Sequence, residues 1–274
     1  MTTKKRPVKA YKNIEFLTSP DARIARIMCE CLEPLSRFKT YGIEDTVVFF
    51  GSSRIQSKRT VQRELKALQR QITQSVTPDN DLIRKEKIAQ TKLLMSKYYE
   101  DAVELSRLLT DWARHCRDGH RFVVCSGGGP GIMEAANRGA AKAGGESIGL
   151  NISLPHEQKP NPYISDQLSF EFHYFFMRKF WFMNLAKALI VFPGGFGTID
   201  ELVEVLTLMQ TKKISKRVPI LIYGSDYWNE VLNFNAMVKW GTISPSDLNL
   251  FNFANTPKDA FELLKTKLMP MIKP

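Results

Sequence analysis

Two glycine-rich turns contain residue types at a spacing that could bind an anion. The first is Ser-Gly-Gly-Gly-Pro-Gly at 126–131, and the second is Pro-Gly-Gly-Phe-Gly-Thr at 193–198. Each follows a short apolar run and precedes a helical pattern, so backbone N–H groups and the positive end of a helix dipole would meet at each turn. We therefore predict that the two turns form halves of one phosphate site, for which a nucleoside monophosphate is the simplest ligand.

Neither turn matches a general nucleotide-binding fingerprint. The first lacks the G-x-G-x-x-G spacing and the second lacks the Lys-Ser/Thr pair of a P-loop, so neither NAD binding nor ATP hydrolysis is indicated. The alternative is that the glycines only make tight strand-to-helix connections. The presence of two such turns in one chain favours the phosphate site.

Three charged residues near the second turn could act on a bound nucleotide. Glu201 follows Thr198 by three positions, so it either caps its own helix or faces a ligand. A carboxylate there would repel a phosphate on the same helix end, which suits Glu201 to the sugar end of the ligand. Arg178 and Lys179 lie in the aromatic segment 172–182, where cations either reach a site or extend to solvent from an apolar helix.

These motifs resemble those of the LOG ("lonely guy") family, cytokinin-activating phosphoribohydrolases that are often labelled lysine decarboxylases. The resemblance is carried by Gly-Gly-Gly-Pro-Gly-Ile-Met-Glu at 127–134, by Arg-Lys at 178–179 and by Pro-Gly-Gly-Phe-Gly-Thr-Ile-Asp-Glu at 193–201. Phe-Gly-Ser-Ser-Arg at 50–54 is similar to the family's first strand-end turn. The similarity extends over residues 46–268.

The resemblance implies hydrolysis of the N-glycosidic bond of a nucleoside 5′-monophosphate to a free base and ribose 5-phosphate, with Arg178 and Glu201 as the catalytic pair. It also implies a homodimer or larger homo-oligomer with the site near a subunit interface. We expect neither a cofactor nor a metal. Larger relatives act on ordinary purine or pyrimidine nucleotides, so a role in cytokinin biosynthesis does not follow. The residues expected to bind the phosphate and the rest of the nucleotide are Gly51, Ser52, Ser53, Gly127, Gly128, Gly129, Gly131, Glu134, Lys179, Gly194, Gly195, Gly197 and Thr198.

The chemistry of the bond explains why two opposite charges are needed. Cleavage of a ribosyl C–N bond builds positive charge on the sugar and negative charge on the departing base. We expect Glu201 to stabilise the oxocarbenium-like ribose and to orient or deprotonate water, and Arg178 to anchor the nucleotide and assist the leaving base. Because arginine stays charged, a proton for the base must come from another group or from water. Glu134 either contacts ribose hydroxyls or caps its helix.

Alternating strand and helix patterns position these residues. Short runs rich in β-branched and aromatic residues predict strands buried on both faces at 46–50, 121–125, 147–150, 188–192 and 218–223. Helical patterns occur at 98–116, 132–143, 173–187, 199–211 and 227–239. This alternation requires right-handed crossovers. We therefore predict an α/β fold: a Rossmann-like, doubly wound parallel sheet flanked by helices.

The N-terminal part of the chain is predicted to be an extension of this fold. Residues 1–45 contain a basic tail, expected to be flexible, and one helix at 20–37. Residues 46–274 are predicted to form a single nucleotide-binding domain.

A charged segment at 57–95 predicts a helical hairpin inserted into that domain. The sequence Thr-Pro-Asp-Asn at 77–80 favours a turn between its two arms. Leu65, Leu68 and Ile72 form one apolar row, so the hairpin must bury a surface on the domain or on a second subunit.

Composition and charge argue against several other classes of function. The 274-residue chain carries a net charge of +11, with the basic excess in the N-terminal tail and the hairpin. Aromatic residues are not interleaved with these charges, which favours a solvated face over a nucleic-acid site. No uncharged apolar stretch reaches the roughly 18 residues of a membrane span, and the four cysteines lack C-x-x-C pairing. We expect a cytoplasmic protein without a membrane or nucleic-acid partner.

Three other interpretations remain open. A molybdenum-cofactor carrier or another non-catalytic nucleotide carrier would use similar glycine turns to hold a phosphate. An amino-acid decarboxylase would need pyridoxal phosphate on a lysine, for which Lys179 and Lys187 are the nearest candidates. Nucleic-acid binding would use the basic tail and the hairpin. The presence of both Arg178 and Glu201 favours the hydrolase.

Overall fold

A parallel β-sheet forms the centre of the protein. The computed structural model describes residues 6–75, 79–116, 120–154, 159–214 and 218–272. Within these ranges seven strands pair in the order β4-β3-β2-β1-β5-β6-β7, and every neighbouring pair is parallel. The predicted doubly wound α/β fold is therefore confirmed. The strands are β1 (Thr46–Phe50), β2 (Val123–Ser126), β3 (Ser147–Ile152), β4 (Ser169–Phe172), β5 (Ala186–Val191), β6 (Ile220–Tyr223) and β7 (Phe251–Ala254).

Helices cover both faces of this sheet. They are α1 (Ile14–Thr18), α2 (Arg23–Thr40), α3 (Lys58–Gln74), α4 (Asn80–Arg114), α5 (Ile132–Lys142), α6 (Phe175–Asn184), α7 (Phe196–Gln210), α8 (Ser225–Val231), α9 (Phe234–Lys239) and α10 (Pro257–Leu268). Buried side chains of α2, α6, α7, α8 and α9 form one apolar layer. Buried side chains of α4, α5 and α10 form the other.

The central strand β1 shows why these runs form buried strands. Its side chains alternate between the two layers: Val48 and Phe50 belong to the layer of α6 and α7, and Val47 and Phe49 to the layer of α4 and α5. All four are at least 94% buried. Each contributes roughly 1.5–3 kcal/mol from the removal of apolar surface from water, so the run is apolar throughout rather than alternating.

The strand order reverses between β1 and β5. The chain fills the sheet outward from β1 to β4 on one side and from β5 to β7 on the other. Just beyond the two strands, the Ser52 N–H donates to the Pro193 carbonyl at 3.0 Å. In open α/β sheets, ligands bind at the carboxyl ends of the strands where the order reverses. A ligand site is therefore expected beside the residues that follow β1 and β5.

The two edge strands, β4 and β7, were not predicted. Their sequences, Ser-Phe-Glu-Phe and Phe-Asn-Phe-Ala, mix polar and apolar residues because both strands are only partly buried: one side of β4 and the two middle residues of β7 are less buried. The segment 227–239, predicted as one helix, forms α8 and α9, which are separated at Leu232 and Asn233; the Asn233 side chain caps α9.

The predicted hairpin consists of α3 and the first part of α4. Residues Thr77 and Pro78 of the predicted turn lie outside the described residues, and Asp79 caps α4 with its side chain. Helix α3 packs along α4, where Lys92 pairs with Glu64 at 2.8 Å. The second arm continues without a break into the helix predicted at 98–116, so α4 is a single 35-residue helix whose C-terminal part packs on the sheet.

The N-terminal helix lies three residues later than predicted, at Arg23–Thr40. It is held to the start of α6 because the Glu30 carboxylate accepts hydrogen bonds from the N–H groups of His173 and Tyr174 at 2.8 and 3.2 Å. Among the described helices, none is both long enough and apolar enough to cross a bilayer.

Candidate active site

A cavity of about 780 Å³ opens at the carboxyl ends of β1 and β5. Its walls come from the turn after β1, the start of the first glycine turn, α6 and the second glycine turn with the start of α7. The predicted site residues that line it are Gly51, Ser52, Ser53, Gly127, Arg178, Gly194, Gly195, Gly197, Thr198 and Glu201. The predicted residues that lie outside this lining are Gly128, Gly129, Gly131, Glu134 and Lys179.

The second glycine turn leaves a helix N-terminus open toward this cavity. Gly195 is the N-cap of α7, and no described residue accepts a hydrogen bond from the N–H groups of Phe196 and Gly197. A Cβ added at Gly195 or Gly197 would meet no atom within 4 Å. Unpaired N–H groups at the positive end of a 15-residue helix are a favourable place for an anion.

Side chains of the protein fill the space beside the first glycine turn. A Cβ on Gly127 would overlap the guanidinium of Arg178, so only glycine leaves room for that side chain. The Asn161 amide donates to the carbonyl oxygens of Gly128 and Gly129 at 3.0 and 3.2 Å. These contacts make the first turn a support for Arg178 and leave the second turn as the more open anion site.

The N-terminus of α5 is also less accessible than that of α7. The Ile132 N–H already donates to the Ser52 carbonyl at 3.0 Å. Gly131 has φ of 73°, and a Cβ there would overlap the same Ser52 carbonyl. Glycine at this position therefore permits the turn after β1 to contact the start of α5.

Arg178 is fixed by three features of its surroundings. Its Nε donates to the Leu150 carbonyl in β3 at 2.9 Å. Its guanidinium lies 5.1 Å from the centre of the Phe182 ring, which is one helical turn further along α6. Burial lowers the pKa of Arg178, and the negative charge of Glu201 acts in the opposite direction. The cation is therefore positioned on the cavity wall before any ligand binds.

Glu201 faces the cavity instead of capping its helix. Because α7 begins at Phe196, Thr198 lies inside the first turn and its N–H donates to the Gly195 carbonyl at 3.0 Å. The Glu201 side chain is 13% exposed. Burial raises the pKa of Glu201 from 4.5 to about 7, although Lys179 and Arg178 act in the opposite direction. A carboxylate with such a pKa can take up or release a proton near neutral pH.

Lys179 does not line the cavity, and its side chain extends to the acidic residues of α7. Its Nζ lies 2.8 Å from Asp200 Oδ2, 2.6 Å from Glu204 Oε2 and 3.5 Å from Glu201 Oε2. Glu134 is similarly engaged elsewhere, because its carboxylate accepts a 2.6 Å hydrogen bond from the hydroxyl of Tyr99 in α4. Within the described residues, no group of three or more His, Cys, Asp or Glu side chains could hold a metal ion.

Known proteins are similar to this chain over the residues that form the site. A model described as "Possible lysine decarboxylase" matches residues 133–264, which include Arg178, Glu201 and the second glycine turn. A "probable cytokinin riboside 5′-monophosphate phosphoribohydrolase" of Oryza sativa subsp. japonica is 30% identical over 173 residues, which are 62% of this chain and 66% of that protein. The "cytokinin riboside 5′-monophosphate phosphoribohydrolase" of Arabidopsis thaliana is 29% identical over 146 residues, 52% of this chain and 66% of that one. Over these residues the chain is similar to proteins of the LOG family.

The match to LOG-family relatives is partial. The chain spans just under two thirds of the length of these plant proteins. The "pyrimidine/purine nucleotide 5′-monophosphate nucleosidase" of Escherichia coli (strain K12) is 30% identical over 127 residues, 40% of this chain and 27% of that protein. A solved structure of the molybdenum cofactor carrier protein from Chlamydomonas reinhardtii covers 63% of this chain and 89% of that one, at 19% identity and a TM-score of 0.41.

Two polar residues that line the cavity, Asn151 and Tyr227, were not among the site residues predicted from the sequence. Asn151 is the fifth residue of β3, and its amide donates to the Phe170 carbonyl at 2.9 Å. The sequence feature that could have indicated Asn151 is its position as a polar residue directly after the run 147–150 that predicted the strand. Tyr227 in α8 donates its hydroxyl proton to the Gly194 carbonyl at 2.9 Å. No sequence signal indicates that contact, because it depends on the packing of α8 beside the second glycine turn.

Proposed function

We propose that this protein is a member of the LOG family and that it hydrolyses the N-glycosidic bond of a nucleoside 5′-monophosphate, which releases a free base and ribose 5-phosphate. The observation that carries the proposal is the pairing of Arg178 and Glu201, two opposite charges on the wall of one cavity that also contains the open N-terminus of α7. The names of the plant and Escherichia coli relatives support the same reaction.

The 5′-phosphate would bind at the second glycine turn. The N–H groups of Phe196 and Gly197 donate to no described residue, a Cβ on Gly195 or Gly197 would meet no atom within 4 Å, and the Gly194 carbonyl already accepts a hydrogen bond from the Tyr227 hydroxyl. The helix dipole of α7 adds to the attraction. Arg178, which lines the same cavity, would supply a full positive charge to the same nucleotide.

The bond between sugar and base would then break between opposite charges. Glu201 in its ionised form stabilises positive charge that develops at the ribose C1′ and orients the attacking water. Arg178 stabilises negative charge on the departing base, but it remains protonated and donates no proton. Protonation of the base therefore falls to water. Because Glu201 has a pKa near 7, it can also accept a proton from the attacking water.

The preferred base is a separate question within this proposal. The relatives' names include cytokinin ribotides in plants and ordinary pyrimidine and purine nucleotides in bacteria. We propose a nucleoside 5′-monophosphate as the substrate class, with no choice between these bases. We also propose a homodimer or larger assembly, which is supported by the exposed aromatic side chains of Phe175, Phe176 and Phe180 on α6.

A panel assay tests the reaction. Wild-type protein is incubated with AMP, CMP, GMP and N6-isopentenyl-AMP, and the free base and ribose 5-phosphate are measured by chromatography. We expect at least one nucleotide to be hydrolysed, Glu201→Gln to abolish the release of base, and Glu262→Gln, an exposed carboxylate on α10, to leave it unchanged. Nucleotide binding without turnover of any substrate would identify a carrier and refute the enzyme.

A further inference from the structure

Lys179 lies at the junction between the two helices that carry the proposed catalytic residues. It follows Arg178 in α6, yet its side chain crosses to α7, where the ammonium is within 2.8 Å of Asp200 and 2.6 Å of Glu204. The side chain is 18% exposed. An ammonium has three N–H donors, and two of them are used by these carboxylates.

The third carboxylate at this junction is Glu201. Its Oε2 lies 3.5 Å from the Lys179 Nζ, slightly beyond a short hydrogen bond but well within the range of a strong charge interaction. Asp200 and Glu204 are four positions apart on α7 and share one face of the helix. They are 60% and 39% exposed, whereas Glu201 is 13% exposed and faces the cavity. The two more exposed carboxylates, Asp200 and Glu204, thus hold the lysine beside the more buried Glu201.

The charges around Glu201 come from both helices. Arg178 and Lys179 in α6 favour its ionised form, and Asp200 and Glu204 in α7 oppose it. Burial opposes it as well, and among the attractive charges Lys179 has the larger effect. Without Lys179, Glu201 would be left in a partly buried site with two like charges and one cation.

We propose that Lys179 is a positioning residue that holds the Glu201 carboxylate in its place and in its ionised form, rather than a ligand of the nucleotide's phosphate. This inference rests on the proposed function, in which Glu201 acts as the anion beside the ribose. It changes the role expected from the sequence, where Lys179 belonged to the nucleotide-binding set. Its position outside the cavity lining and its contacts with three carboxylates support the change.

The test is the pH dependence of nucleotide hydrolysis in matched variants. With Lys179→Gln, we expect the acid side of the kcat/KM profile to move to higher pH, so that activity at pH 6 falls by about tenfold for each pH unit of displacement, while activity at pH 9 changes little. Lys179→Arg keeps the charge and should restore the wild-type profile. Asp200→Asn removes a neighbouring negative charge and should move the profile to lower pH. Lys258→Gln, which removes an exposed charge on α10, controls for the change in net charge.

A phosphate-binding lysine would give a different pattern. In that case Lys179→Gln would raise KM for the nucleotide at every pH without moving the acid side of the profile, and this result would overturn the proposal. Circular dichroism at each pH shows whether the variant is folded, and Lys179→Arg supplies the comparison if the glutamine variant unfolds. A profile for Lys179→Arg that is displaced as far as that of a neutral variant would also overturn it.

Failure of the proposed function can be told apart from failure of this inference. If the wild-type protein hydrolyses no nucleotide, the proposed reaction falls, and the state of Glu201 is then read directly from the ¹³C signals of glutamate carboxylates, with Glu201→Gln identifying its signal. Titration of that signal at higher pH in Lys179→Gln than in the wild type would still support the positioning role. An unchanged titration would refute it.

Discussion

The replacement Glu201→Gln should stabilise the folded protein at pH 8 while it abolishes activity. Burial raises the pKa of Glu201 from 4.5 to about 7 in the folded state, so the folded protein binds this proton more tightly than the unfolded chain does. The stability that the group contributes is fully present below about pH 4.5 and is lost as the pH rises to about 7. At roughly 1.4 kcal/mol for each pH unit, the loss is on the order of 3 kcal/mol.

Glutamine has nearly the same shape but does not ionise, so the variant avoids that loss. We expect the free energy of unfolding of Glu201→Gln to exceed that of the wild type by roughly 2–3 kcal/mol at pH 8 and by under about 1 kcal/mol at pH 5. For a chain of this size such a difference raises Tm by several degrees. Urea titrations followed by circular dichroism, at both pH values and without nucleotide, give the two differences.

The matched control is Glu262→Gln, which changes the same residue type at an exposed position on α10 and should alter stability by no more than about 0.5 kcal/mol at either pH. Comparison of each variant with the wild type at two pH values removes the effect of every other titrating group. If Glu201→Gln and the wild type differed in stability by the same amount at pH 5 and pH 8, burial would not raise the pKa of Glu201. A variant less stable than the wild type at pH 8 would lead to the same conclusion.

Three further predictions concern the Arg178 position, the second glycine turn and the ionisation of Glu201. Gly127→Ala should displace the Arg178 guanidinium and lower kcat/KM by at least about tenfold, a loss of roughly 1.4 kcal/mol of transition-state stabilisation. Circular dichroism should show that the variant is still folded. Unchanged activity would mean that catalysis does not depend on this position of Arg178. Tyr227→Phe removes the hydrogen bond to the Gly194 carbonyl, worth about 1 kcal/mol, and should raise KM severalfold with a smaller change in kcat, whereas an unchanged KM would separate this bond from phosphate binding. In the wild type, kcat/KM should rise with pH through about 7 as Glu201 ionises, and a profile that is flat from pH 5 to pH 8 would contradict a role for the ionised form.

The sequence was informative where local pattern and tertiary environment agree. Strand β1 has the predicted bounds because a run of β-branched and aromatic residues is buried on both faces. Helix α5 begins at the predicted residue, Ile132, because it follows directly on a glycine turn. The sheet order then follows from right-handed crossovers, which bring the segments after β1 and β5 together at one edge.

The features that could not be predicted depend on distances between elements. The sequence gives Thr198 and Glu201 the spacing of a capping box, but the helix begins at Phe196, three residues before the predicted start at residue 199, and this frees the carboxylate for the cavity. The orientation of Lys179 toward α7 depends on how closely α6 and α7 pack. Gly127 resembles a phosphate-binding glycine in sequence, and only the three-dimensional structure shows that it accommodates the side chain of Arg178.

The pairing of β1 with β5 determines when the candidate ligand site forms during folding. The two strands are adjacent in space, but β1 ends at residue 50 and β5 begins at residue 186. Contacts between such distant parts of a chain form slowly, because a long loop must be closed first. A folding intermediate that lacks β5 has no cleft, so a nucleotide can bind only to chains in which this strand has docked. Ligand added during refolding should therefore stabilise the final species without accelerating the earlier steps.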